Sequence, residues 1–340
     1  MSSLADTIAP QSHHTEAGFR NPFPGFKETR LADFFKWKLF ASMKNGKPQK
    51  PRKYHFEILA NDGEYLRQNR TDFTVTWIGH STLLVQMNGL NILTDPIWSE
   101  RCSPVPFAGP KRFVKPGLAL EDLPDIDVVI ISHDHYDHLD RPTLKKLGNK
   151  PLYLVPCEVG KKLQKWGVRN YIEMDWWQSV QHNGLEFVCT PAQHFSGRTP
   201  TDRNKTLWCS WVVKGEKNNF YFAGDSGYFP GFKEIGRRYG PFDVTAIPIG
   251  SYMPRWFMSP IHLDPGEAVQ VLQDVKGTVF IPIHWGTFDL ADEPLDMPPK
   301  ELLQKAEERN LPRQNFWILR HGETRIVAGG HHQVHVPPPK

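Results

Sequence analysis

Cysteine is scarce and badly placed for a covalent framework. The 340 residues carry four, Cys102, Cys157, Cys189 and Cys209, with no C-x-x-C pair among them. Neither a disulfide scaffold nor a thiolate zinc site is expected. An excess of charge of one sign is also nearly missing, since 41 Lys and Arg against 37 Asp and Glu leave a formal +4. A protein that grips a polyanion carries a far larger basic excess, so no nucleic-acid partner is expected. No apolar run approaches the ~18 residues of a membrane span. Residues 1–6 hold neither the positive nor the apolar region of a secretory signal, and a reducing, cytoplasmic location is expected. Neither an internal repeat nor a Ser/Gly linker divides the chain.

What is abundant is histidine, 15 residues, together with 30 prolines and 26 glycines on a background that is 39% apolar. This is the composition of a folded globular protein rich in loops, and loops carry chemistry. Residues 1–25 are polar and aperiodic and read as a flexible tail, as does the His/Pro stretch 331–340. Residues 73–330 read as one continuous domain, preceded by a basic and aromatic extension at 26–72. Seven basic residues and no acidic one lie between positions 36 and 53 (Lys36, Lys38, Lys44, Lys47, Lys50, Arg52, Lys53), interleaved with aromatics from Phe34 onward. The segment 34–53 has the chemistry of an anchor to an anionic membrane surface. Its apolar residues do not gather on one helical face, however, because Leu31, Phe35, Leu39 and Met43 form one stripe while Trp37 and Phe40 project elsewhere. A core-packing extension with a solvated basic loop is the competing expectation.

The domain opens with strands at 74–78, 83–87 and 91–94, the last two joined through Asn88-Gly89, a strong hairpin signal. Helices are expected at 142–147, 158–166, 265–274 and 300–309. The third is the best marked, with Asp264 as N-cap, Pro265 at the first helical position and Glu267 completing a capping box. Strands mixed with helices point to a layered α/β architecture. The long loop 96–117 is a candidate lid or binding loop.

Directly after a buried-looking strand at 127–132 stands His133-x-His135-x-Asp137-His138. On a tight loop these side chains can surround two metal ions. Three later strand-like runs also end in ligand-type residues, at His194, Asp225 and His284. Open α/β folds build their sites at the C-terminal ends of strands in this way. The nitrogen and oxygen donor set suits two zinc ions, with iron or manganese as alternatives. His133, His135 and His194 are allotted to one ion, Asp137, His138 and His284 to the other, and Asp225 to the position between them. Paired ions roughly 3.5–4 Å apart generate a hydroxide nucleophile at neutral pH, so hydrolysis is the expected reaction class. His80, which also follows a strand, reads as structural, with a position facing the site as the alternative.

These residues, with Asp95 at a strand end, resemble the signature of the metallo-β-lactamase superfamily. That resemblance implies an αββα sandwich with two zincs at one edge. The surrounding words narrow it: Thr-Trp-Ile-Gly-His at 76–80, Leu-Thr-Asp-Pro at 93–96, Asp-Trp-Trp at 175–177, Phe-Ala-Gly-Asp-Ser-Gly-Tyr at 222–228, Pro-Arg-Trp-Phe-Met at 254–258 and Ile-His-Trp-Gly-Thr-Phe at 283–288. Together they are similar to the N-acylphosphatidylethanolamine-hydrolysing phospholipase D family, over about residues 73–322, with departures at Asp134 and Ser226. The resemblance implies release of an N-acylethanolamine from a phospholipid, leaving phosphatidic acid, and a homodimer peripheral to a membrane. It also implies a catalytic role for His262, which lies two residues before the N-cap Asp264, beside the positive end of a helix where a phosphate oxygen is favoured. Asp137 is expected to accept the water's proton as well. Arg255, Trp256 and Tyr136 are the expected substrate contacts. The same metal centre could instead serve another phosphodiester or a lactone, and a non-catalytic metal-binding regulator is the remaining alternative.

Overall fold

The computed structural model describes residues 12–29, 31–42, 50–51, 53–327 and 333–335. Its architecture follows from strands that are apolar on both faces. Val75 and Trp77 of β3 (Thr74–Gly79), Leu83 and Val85 of β4 (Thr82–Met87), Ile92 of β5 (Leu90–Thr94) and Val128 and Ile130 of β6 (Val128–Ile130) enter one core. Their neighbours Ile78, Leu84, Leu93 and Val129 enter another on the opposite side. Period-2 alternation with both sets buried requires a sheet covered on both faces. With β7 (Leu152–Pro156), β8 (Tyr171–Met174), β15 (Thr324–Ile326) and β16 (Gln333–His335), these strands form an eight-stranded sheet in the order β16-β15-β3-β4-β5-β6-β7-β8.

The second sheet has six strands: β9 (Ser179–His182), β10 (Leu185–Thr190), β11 (Ser210–Lys214), β12 (Asn219–Phe222), β13 (Phe242–Pro248) and β14 (Gly277–Ile283), running β14-β13-β12-β11-β10-β9. Phe187, Trp211, Val213 and Phe220 meet the first sheet's inner face in the shared core. Leu144 of α3 (Arg141–Leu147) and Leu163 of α4 (Gly160–Lys165) cover the first sheet's outer face. The second sheet is covered by Ile235 of α5 (Gly231–Arg238), Val269 and Leu272 of α7 (Pro265–Asp274) and Leu302 of α8 (Pro298–Glu308). The result is the expected αββα sandwich. The expected capping box at α7 is present, with Asp264 Oδ1 accepting from the Glu267 N–H at 2.8 Å and Glu267 Oε2 accepting from the Asp264 N–H at 3.1 Å.

The N-terminal boundaries differ from the sequence expectation. Residues 1–11 lie outside the described residues, but 12–25 are not a free tail. A short hairpin, β1 (His14–Thr15) and β2 (Gly18–Phe19), docks on the domain, and Phe19 and Phe23 are buried in the main core. His13 Nε2 and His14 Nε2 bond to the two oxygens of Asp175 at 2.6 and 2.7 Å, spacings of hydrogen bonds that clamp the hairpin in place. Described parts of 26–72 are also bound in: Leu66 of α2 (Glu64–Gln68) is buried beneath the first sheet, and Phe56 packs on the main core. At the other end, 331, 332 and 336–340 lie outside the described residues, while 333–335 extend the sheet past the expected limit at 330.

The aromatic helix is α1 (Leu31–Ser42). Its apolar residues face in more than one direction because they have more than one neighbour. Trp37 is buried against Phe257 of α6 (Arg255–Met258), with ring centroids 5.3 Å apart, and its indole N–H donates to Asp292 at 3.0 Å. Phe35 and Leu39 are 57% and 69% exposed. Of the basic run, Lys44, Lys47 and Arg52 lie outside the described residues. The loop 96–117 folds back on itself, with Arg112 donating to the carbonyls of Ser99 and Ile97 at 2.9 Å each. It does not line the main cavity. Among the described residues no helix is long and apolar enough to cross a membrane.

Candidate metal centre

β5, β6 and β7 run parallel, as do β12, β13 and β14, so their C-terminal ends open on one edge of the sandwich. That edge collects the predicted residues. The loop after β6 supplies His133, His135, Asp137 and His138; His194 follows β10, Asp225 follows β12 and His284 follows β14. Several side chains enter from sharply turned backbone: Asp95, His80 and His284 have φ of 32°, 55° and 61°. Left-handed conformations of non-glycine residues are disfavoured, and they cluster where a site over-determines the backbone.

Two groups form within the edge. In the first, His133 Nε2 lies 2.8 Å and His194 Nε2 3.3 Å from His135 Nδ1. In the second, Asp137 Oδ2 is 3.2 Å from His284 Nε2 and 3.3 Å from His138 Nε2. Asp225 Oδ2 stands between them, 3.1 Å from His284, 3.2 Å from His138 and 3.9 Å from His194. Thus all seven residues allotted to metal from the sequence converge, in the expected grouping.

The second layer orients these rings. His138 Nδ1 is bonded to Asp95 Oδ2 at 2.7 Å, and the same oxygen accepts from Ser132 Oγ, which contacts His133 Nδ1 at 2.9 Å. His194 Nδ1 donates to the carbonyl of Ile261 at 2.8 Å. Fixing one ring nitrogen leaves the other directed into the centre, the usual arrangement behind metal-binding histidines. His80, read as structural, in fact reaches Asp137 Oδ2 with Nε2 at 2.9 Å. Its position at the end of β3, beside Gly79, was the available signal.

Burial pushes His194 down to about 3 and His135 to about 4, and holds His133 well below the usual imidazole range. These rings are neutral and present lone pairs. Burial by itself would also lower His138 and His284, but Asp225 and Asp137 outweigh it, raising His284 to about 9 and His138 well above its ordinary value. For Asp225 burial alone would raise the carboxyl, yet His138 and His284 together hold it well below the carboxylate range. A cation entering here displaces protons from histidines already facing carboxylates. The donor set passes a direct test of fit: His138 Nε2 and Asp225 Oδ1 are fully buried without a hydrogen-bond partner, an arrangement that a metal ion completes.

His262 is brought to the same place. It is buried, with its ring centroid 5.1 Å from that of His194 and 5.4 Å from that of His284, and its Nδ1 is unpartnered 3.9 Å from Asp225 Oδ2. Arg255 and Trp256 are a correction to the sequence expectation, because neither lines the cavity above the centre, whereas Tyr136 does. Arg255 is engaged by Glu267 Oε2 at 2.8 Å and by the carbonyl of His262 at 2.9 Å, so it ties His262 to the α7 cap. Trp256 is half exposed, with Lys36 of α1 5.4 Å above its ring.

Gly224 is the residue that allows Asp225 its entry. Its φ is +58°, and an added Cβ would lie 2.6 Å from Ser132 Cβ and 3.0 Å from the Cys209 carbonyl. Gly224→Ala is therefore expected to lower stability by at least about 2 kcal/mol and to disturb Ser132 behind His133. Urea unfolding checks it, and an unchanged midpoint would contradict the packing described.

The comparisons with known proteins agree with this architecture. A Beta-lactamase superfamily domain profile matches residues 90–285. An N-acyl-phosphatidylethanolamine-hydrolyzing phospholipase D of Caenorhabditis elegans is 42% identical over 243 residues, 68% of this chain and 68% of that protein. A metal-dependent hydrolase of Methanopyrus kandleri is 32% identical over 74% of this chain and 98% of its own length. Among solved structures, an isothiocyanate hydrolase from Delia radicum gut bacteria superposes with a TM-score of 0.61 at 21% identity, covering 74% of this chain and 98% of that one. The edge of converging histidines and carboxylates, the αββα sandwich and these matches place the chain in the metallo-β-lactamase superfamily, among its metal-dependent hydrolases.

Proposed function

We propose that this protein is a dizinc phosphodiesterase that hydrolyses N-acylphosphatidylethanolamine to an N-acylethanolamine and phosphatidic acid. The observation that carries the reading is a cavity of about 880 Å³ with mostly apolar walls, whose floor is Asp137, Asp225, His135, His262 and His284. Phe34, Phe35 and Trp37 of α1, with Phe195, Phe257 and Met258, form walls suited to acyl chains. The relationship to a phospholipase D that hydrolyses this lipid supports the same substrate class. In this reading α1 stands where a bilayer meets the enzyme, with Phe35, which lines the cavity, and Leu39 both exposed.

His133, His135 and His194 would hold one zinc, Asp137, His138 and His284 the other, and Asp225 reaches both groups. When bound, such a pair supplies Lewis-acid charge at the phosphate and acidifies water at neutral pH. The protein's own residues do the rest. Asp137, at the cavity floor, accepts the proton of the attacking water. His262, whose pKa burial holds well below the usual range, is neutral and offers an N–H to a phosphoryl oxygen as negative charge develops there. The apolar walls exclude bulk water and hold the diacylglycerol portion away from the floor.

The test is incubation of the zinc-loaded protein with N-acylphosphatidylethanolamine in mixed micelles. Equimolar phosphatidic acid and N-acylethanolamine are expected, and chelation should abolish both. Full metal occupancy with no release of either product would overturn the assignment.

A further inference from the structure

The loop that carries four of the converging residues, 133–138, is held by a circuit of charged groups from outside it. Arg198 Nη1 donates to the carbonyls of Asp134 at 2.7 Å and Leu139 at 2.8 Å, with that of His135 at 3.4 Å. Its guanidinium lies 3.8 Å above the ring of Tyr136, whose hydroxyl donates back to the Arg198 carbonyl at 3.0 Å. Asp134, fully buried, accepts from the Gly197 N–H at 2.8 Å. Lys162 on α4 lies 3.1 Å from Asp134 Oδ2 and 3.0 Å from Asp202 Oδ2, and Asp202 Oδ1 accepts the N–H groups of Arg198 and Thr199 at 2.8 and 2.7 Å. The circuit closes on itself: α4, the 196–203 loop and the histidine loop are joined by these contacts, all but the Tyr136 hydroxyl bond involving a charged group.

We propose that Arg198 is a positioning residue for the metal centre, fixing the backbone on which His133, His135, Asp137 and His138 are mounted, with Lys162 and Asp202 holding Arg198 and Asp134 in register. Three carbonyls of one short loop converge on a single guanidinium nitrogen, while the face of the same group covers the ring of Tyr136. A planar guanidinium directs the two N–H groups of that nitrogen at the loop while its face stacks on Tyr136; an ammonium, a compact charge on a flexible stem, keeps the charge but not the stacked face. Without Arg198 the carbonyls of Asp134 and Leu139 lose a charge-assisted partner, and the loop can relax away from the spacing that puts His133 Nε2 near His135 Nδ1. Arg198 also lines the cavity, so its competing role is direct contact with a substrate phosphate. The two roles separate experimentally, because positioning acts on metal binding before any substrate is present.

The inference rests on the metal-centre reading above, and the experiment distinguishes the two. Zinc affinity is measured without substrate, by competition with a chromophoric chelator, for the wild type, Arg198→Ala, Arg198→Lys and Lys162→Met. Arg198→Ala is expected to weaken zinc binding about 10- to 100-fold, the range found for groups that orient metal ligands. Arg198→Lys should recover only part of the loss, and Lys162→Met should weaken binding several-fold. Wild-type affinity in Arg198→Ala overturns the proposal, and if KM alone has risen, Arg198 binds substrate instead. Should Arg198→Ala fail to fold, wild-type affinity in Lys162→Met overturns it equally. A wild-type protein that takes up no zinc overturns the metal-centre reading itself.

Discussion

Asp225→Asn is expected to reduce bound zinc to one ion per chain or fewer and to lower turnover on the order of 10³-fold, about 4 kcal/mol of transition-state stabilisation. The reason is geometric. Asp225 Oδ2 is within 3.2 Å of both His138 and His284 Nε2 and 3.9 Å from His194 Nε2, so one oxygen serves both halves of the centre. The amide keeps the shape but removes the negative charge that would balance the cations of the proposed centre, and it turns one end of an acceptor into a donor. Elemental analysis of the purified variant, alongside kcat on the proposed substrate, N-acylphosphatidylethanolamine, checks both parts. Two zincs and normal turnover in Asp225→Asn would sink the bridging role.

His262→Ala should behave differently, losing turnover by roughly 10²–10³-fold while both zincs remain. His262 contacts the centre from above: its Nδ1 is 3.9 Å from Asp225 Oδ2, and it belongs to neither the His133–His135–His194 group nor the Asp137–His138–His284 group. It is buried among other rings, yet its Nδ1 has no partner within the protein, which leaves it a donor or acceptor for something entering the cavity. Arg255 holds the carbonyl of His262 and the capping carboxylate Glu267 together, so the ring is presented from a fixed backbone at the start of α7. Its pairing with Asp225→Asn discriminates the two roles, because a loss of zinc in His262→Ala would make it a ligand rather than a group acting on substrate. Full activity in His262→Ala would remove it from the chemistry altogether.

The legible and illegible parts of the site divide by sequence distance. His133, His135, Asp137 and His138 lie within one loop, and His194, Asp225 and His284 each follow a strand-like run, so spacing alone pointed to their convergence. The capping box at Asp264 and Glu267 was equally local. The partner of His80 was not legible, because a single histidine after a strand has no local mark of it and Asp137 is 57 positions away. Arg255 and Trp256 were misplaced for a related reason. Both belong to a motif next to His262, but Arg255 turns to Glu267 and Trp256 to the surface beside α1, and nothing in their spacing shows that they turn away from the cavity. Arg198 gave no signal, since its partners are carbonyls, which every residue has.

The N-terminal segment shows the same limit. Its polar composition suggested a tail, whereas two aromatics, Phe19 and Phe23, are enough to seat it in the core, and Asn21 Nδ2 then donates to the His194 carbonyl at 2.7 Å. Composition averages over residues, and burial is decided by a few of them. The aromatic helix α1 lacked a single apolar face in sequence because in the fold Trp37 is buried against Phe257, Phe34 and Phe35 line the cavity while partly exposed, and Leu39 is exposed.

By itself the sequence determined the strand alternation, the ligand-type residues at strand ends and the caps, because each depends on backbone periodicity and residue chemistry within a few positions. That His80 reaches Asp137, that Arg255 and Trp256 turn away from the cavity, and which arginine braces the loop were decided only by tertiary structure. Those depend on packing two sheets face to face, which brings groups separated by tens to hundreds of residues within hydrogen-bond reach at one edge of the sandwich.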